Sequence, residues 1–78
     1  MKKVNIRDEE LLQVENLEDF ESCDDTQLFS IYCFITTEPR YLGVISKDEV
    51  QEIKFTNDGR IHIVNSLFLR YDCILVLE

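Results

Sequence analysis

Residues 50–64, VQEIKFTNDGRIHIV, constrain the fold more than any other stretch, because only one register keeps their apolar residues together. Asn57, Asp58 and Gly59 suit a three-residue hairpin loop, with Gly59 in the left-handed position that glycine fills without steric cost. That loop sets Phe55 opposite Ile61, Ile53 opposite Ile63, Lys54 opposite His62 and Thr56 opposite Arg60. One face is then apolar and the other polar. A two-residue Asp58-Gly59 loop would pair Phe55 with His62 and mix the faces. The expectation is a β-hairpin with strands over 50–56 and 60–65.

Strand character extends on either side. Residues 28–36, LFSIYCFIT, and 41–46, YLGVIS, are short, rich in β-branched and aromatic side chains, and apolar on both alternating faces. Thr37-Glu38-Pro39-Arg40 separates them as a turn, and Gly43 in mid-strand predicts a bulge or sharp bend. Residues 67–77, LFLRYDCILVL, read as a last strand, after a break at Asn65-Ser66. Val4 and Ile6 alternate with polar residues and suit a further edge strand.

Residues 8–22, DEELLQVENLEDFES, read instead as a helix. Asp8 is a natural N-cap, Glu9 and Glu10 fall in the first turn, and Leu12, Leu17 and Phe20 recur at helical spacing. Glu15/Asp19 and Glu18/Glu21 are like-charged neighbours at that spacing, each costing a few tenths of a kcal/mol. No Lys or Arg is expected to relieve them.

The fold class expected is mainly β with one N-terminal α-helix. Short connections make the five strands antiparallel neighbours. One helix cannot cover both faces of such a sheet, so the expectation is a small, strongly curled five-stranded sheet or a partly open barrel, capped by the helix. A homodimer that buries the second face is the alternative. The 78 residues are one domain, and 45% hydrophobic content is that of a folded chain.

Charge carries the functional reading. The net charge is −8, and residues 1–26 hold nine acids against three bases. Between Arg7 and Arg40 lie ten acids and no base. Nucleic acid and anionic membranes bind through positive charge, so neither is expected as a direct partner of this surface. Glu15, Glu18, Asp19, Glu21, Asp24 and Asp25 form the candidate partner-binding set, which reads either as a solvated face or as a docking surface for a basic protein. The most concrete version is an inhibitor or immunity-type protein, as phages and mobile elements encode, that occupies the nucleic-acid channel of an enzyme by mimicry.

Catalytic signals are weak. His62 is the single histidine, expected on the solvated face of the hairpin. Cys23, Cys33 and Cys73 are odd in number and distant in sequence, which suggests reduced thiols in a cytoplasmic protein rather than a disulfide framework or a metal knuckle. Glu21, Asp24 and Asp25 are hard oxygen donors without the spacing of a calcium loop. No motif calls for a cofactor, and an enzyme is not expected. Met1-Lys2-Lys3 lacks the apolar region of a signal peptide behind it, and no apolar run reaches transmembrane length.

Leu69-Arg70-Tyr71-Asp72-Cys73-Ile74 resembles the second motif of the Sm-like RNA-binding proteins, with Tyr71 where that motif has glycine, and Gly43-Val44-Ile45 resembles part of the first. A short helix followed by five strands is also their layout. The resemblance implies a ring oligomer that binds RNA through loop residues, with Arg70 near the site. A third reading is a small structural subunit whose doubly apolar strands form its interface.

Overall fold

The computed structural model of the chain describes residues 1–34, 37–57, 60–64 and 73–78. Strands β1 (Lys2–Ile6) and β2 (Glu9–Val14) precede a single short helix, α1 (Leu17–Glu21). Then come β3 (Leu28–Cys33), β4 (Arg40–Ser46), β5 (Glu52–Phe55), β6 (Ile61–Val64) and β7 (Cys73–Leu77). A five-stranded antiparallel path runs β1-β2-β7-β3-β4, and the β5–β6 hairpin joins it through β7.

The last strand is the centre of the sheet. β3 pairs along one edge of β7, from Phe29 opposite Leu77 to Cys33 opposite Cys73. Its other edge is shared: β2 takes Leu75 and Val76, and β6 takes Cys73 through Ile61. Cys73, Ile74, Leu75 and Val76 are all buried, which accounts for an apolar run without alternation. Residues on one face (Val14, Phe29, Ile31, Cys33, Ile45, Cys73 and Leu75) form the main core with Phe20 of α1 and Ile61 of β6. The other face holds a smaller cluster of Ile6, Ile74 and Val76, with Val4, Leu11, Tyr32 and Phe34 against it.

The sheet is open, because β1, β4 and β5 each pair on one side only among the described residues. This corrects the expected barrel. The Arg7 guanidinium, in the β1–β2 turn, donates to the carbonyl of Pro39 just before β4 at 3.4 Å.

The N-terminal helix expected over 8–22 is also corrected. Its first half is β2, and only residues 17–21 are helical. In the β1–β2 ladder Leu11 faces Val4, and Val14 meets Leu75 of β7. This pairing overrides the helical preference of Glu-Glu-Leu-Leu-Gln, as tertiary contacts commonly do. Leu12 and Leu17, read as helix core, are 41% and 49% exposed, and Phe20 alone of the three is buried. Arg7 and Asp8 form a two-residue turn, with φ of 52° and 67°. A type I′ turn demands positive φ at both positions, and its usual Asn-Gly signature is absent here. Asp8→Gly is therefore expected to raise stability by about 0.5–1 kcal/mol, by relieving left-handed strain. A urea midpoint that fell on this substitution would contradict the turn.

Other expectations hold. β1 is an edge strand, and the β5–β6 register matches at Ile53–Ile63, Lys54–His62 and Phe55–Ile61. The backbone N–H of Thr56 donates to the carbonyl of Arg60 at 2.8 Å, closing the hairpin. The turn type rests on Asp58 and Gly59, outside the described residues. Gly43 sits opposite Ile31 and Tyr41 opposite Tyr32, so Leu42 is the extra residue of a bulge. Gly43 has a φ of 141°, a conformation that residues with a Cβ rarely adopt. The first part of the expected 67–77 strand and the break at Asn65-Ser66 lie outside the described residues, as do Ile35 and Thr36.

Candidate partner-binding surface

The acidic segment is built around a helix of barely more than one turn, too short to be stable by itself. Its start is fixed by side chains. The Asn16 side-chain oxygen Oδ1 accepts from the Asp19 N–H at 2.8 Å, the standard N-cap bond. Asp19 reaches back and accepts from the Glu15 N–H at 3.1 Å. Phe20 anchors the helix to the main core, its ring 5.6 Å from that of Phe29.

Its end is held by a lysine from a distant part of the chain. Lys47, just after β4, donates to the carbonyls of Glu21 (3.0 Å) and Cys23. Its ammonium also lies 5.6 Å from the centre of the Phe20 ring and 3.9 Å from Asp25. A cation at a helix C-terminus meets the carbonyls that the helix leaves open.

The six candidate acids are thus neighbours in the chain but not one helical stripe. Glu15 follows β2, Glu18, Asp19 and Glu21 lie in α1, and Asp24 and Asp25 lie in the turn beyond it. Cations do relieve part of the set, contrary to the sequence-based expectation. The N-terminal ammonium of Met1 is 3.0 Å from Asp19 and 3.5 Å from Glu15, and Lys47 approaches Asp25. Glu18, Glu21 and Asp24 are exposed and form no ion pair among the described residues.

The hydrogen bond from the ammonium, and then that from the Glu15 N–H, hold the Asp19 carboxyl below the usual aspartate range. The same bond raises the ammonium. Asp19 therefore supports the fold once the pH is above the ordinary aspartate value, and this support is lost as acid protonates it. The Ser46 hydroxyl and N–H likewise hold Glu49 low. These two carboxyls are thus kept ionised, which suits electrostatic attraction and not proton donation. Burial, the largest influence on the Cys23 thiol, pushes it up, away from the reactive thiolate.

Three features were invisible in the sequence reading. Leu17, assigned to the core, is half exposed amid Glu15, Glu18 and Asp19. Lys47 and the Met1 ammonium reach the segment only through the fold, and no local pattern announces them. Among the described residues, no group of three His, Cys, Asp or Glu side chains is placed to hold a metal ion, Glu21, Asp24 and Asp25 included. None of the described helices is long and apolar enough to cross a membrane. The backbone register sets His62 opposite Lys54. Arg70 and most of the Sm-like motif lie outside the described residues. The layout of a helix followed by five strands is not that of this chain, in which two strands precede the helix. No family model, curated protein or solved structure matches the chain.

Proposed function

We propose that this chain is a small, non-catalytic binding protein of the cytoplasm whose acidic segment docks on the basic surface of a partner protein. Its form is that of an inhibitor or immunity-type protein occupying the nucleic-acid site of a nucleic-acid-handling enzyme. The observation that carries this reading is the state of Glu18, Glu21 and Asp24. They are exposed and form no ion pair among the described residues, on the same short segment as the half-exposed Leu17, which is held at both ends by Asn16 and Lys47. Exposed apolar surface and unpaired charge on one braced element suit protein recognition, with charge guiding encounter and the apolar contact slowing release. Neither a direct nucleic-acid contact nor a membrane contact belongs to this reading.

The same three acids give the clean test, because Asp19 and Glu15 also hold the helix together. The triple variant Glu18→Lys/Glu21→Lys/Asp24→Lys is expected to fold as the parent does and to lose its partner. Association driven by such charge falls by about 10-fold to 1000-fold when the field is removed. The measurement is capture from source lysate with parent and variant, at low and raised salt, with duplex DNA as competitor. A basic nucleic-acid-binding protein held only by the parent, and displaced by salt or DNA, supports the proposal. Equal recovery by both chains rejects it.

One observation favours a second reading, a small subunit of a larger assembly or a homodimer. Tyr41 and Val44 on the β4 edge, with Leu28 beside them on β3, are exposed on the same sheet face. Recovery of further copies of the chain alone, unaffected by the triple variant, would favour it.

A further inference from the structure

We propose that Cys33 and Cys73 form a reversible cross-strand disulfide site. Forty positions apart in the chain, they are direct partners in the antiparallel ladder of β3 and β7. Direct partners have side chains on the same sheet face, and both residues belong to the main core. Antiparallel partners stand with Cα atoms about 4.5–5.5 Å apart. That interval falls within the ~4.4–6.8 Å that a disulfide spans. The two are thiols in this structure, and Cys23, half-buried after α1, packs against the same core but is the ladder partner of neither.

The end of β3 supplies the route for oxidation. Cys33 is its last residue and stands directly opposite Cys73. Local opening at a strand end takes far less than global unfolding and exposes the paired sulfurs. The oxidant is a small-molecule disulfide. One cysteine thiolate attacks it, forming a mixed disulfide and releasing one thiolate. The second cysteine thiolate then attacks the protein-bound sulfur, closing the Cys33–Cys73 bond and releasing the other thiolate. The two cysteine protons go to the released thiolates, so one disulfide is reduced to two thiols as the protein dithiol is oxidised. In a reducing compartment the pair stays open, and an oxidising shift closes it.

The closed form would tie the central strand to β3 at the end where Ile61 of β6 also meets Cys73. A loop of about forty residues is closed, which is expected to raise the thermal midpoint by roughly 10 °C or more.

The test uses the parent chain in glutathione buffers graded from reduced to oxidised, with free thiols then alkylated. Cleavage at Asp24 or Asp25 separates Cys23 from Cys33 for mass analysis. The expected result is a Cys33–Cys73 linked peptide, Cys23 alkylated, and full reversal by dithiothreitol with return of the lower thermal midpoint. The Cys23→Ser variant is expected to behave identically. Overturning results are Cys33 and Cys73 that remain alkylatable in oxidised buffer, or that link only after denaturation. Disulfides routed mainly through Cys23 would overturn it equally.

Discussion

Replacing Phe29 with alanine is expected to cost about 3–5 kcal/mol, the range for truncating a fully buried aromatic. A domain of this length has roughly 4–12 kcal/mol in total, so the substitution should remove about a quarter of it at the least and about all of it at the most. Phe29 has no exposed surface and carries the ring against which Phe20 packs. Its loss therefore opens the main core and detaches α1 at once. Leu12→Ala supplies the contrast. If residues 8–22 were one helix, Leu12 would be core; on β2 it is 41% exposed, and its truncation should change stability by no more than about 0.5 kcal/mol. Urea denaturation of the two variants decides the matter, and similar losses would refute the strand assignment of residues 9–14.

Lys47→Met should cost about 2–3 kcal/mol, which is large for a single lysine just beyond the end of a strand. Hydrogen bonds made by charged groups contribute more than neutral ones, about 1.5–3 kcal/mol each, although two from one ammonium do not add. Lys47 donates to two carbonyls at the end of α1, and only 15% of its side chain is exposed. Methionine keeps the apolar stem and removes the donors. Because the partners are backbone carbonyls, raised salt should leave most of the loss in place. Asp25→Asn is the control. Its side chain is 91% exposed and its ion pair is at the limit of contact, so its removal should be near neutral. A Lys47→Met loss below about 0.5 kcal/mol, or one equalled by Asp25→Asn, would show that the lysine does not close the helix.

These variants mark what the sequence could and could not reveal. The β5–β6 hairpin was legible because strict alternation on both sides of Asn57-Asp58-Gly59 agrees with only one register. The β1–β2 hairpin was not. Its turn uses Arg7 and Asp8, both at positive φ, with arginine at a position that Asn, Asp or Gly usually fills. Moreover, the spacing of Leu12, Leu17 and Phe20 imitates a helix. Asn16, the real N-cap, lay inside that imitation. The acidic segment was legible as charge, since charge is local in sequence. Its braces were not, because Lys47 lies 22 positions beyond Asp25 and nothing in the spacing links them. Cys33 and Cys73 follow the same logic: spacing argued against their meeting, and the strand order brings them together.

The position of β7 has a consequence for how the chain reaches this structure. Each earlier pair, β1 with β2 and β3 with β4, closes through a short turn and can form early. Neither is sufficient alone, since an isolated hairpin in water is marginal at best. The strand between them is the last in the chain, so the two halves have no common edge until Cys73–Leu77 arrives. Before that point the chain carries separate hairpins, the β5–β6 pair among them, and no shared sheet, with each free edge open to a stranger's strand. Capture of β7 thus decides between one cooperative domain and an adhesive intermediate.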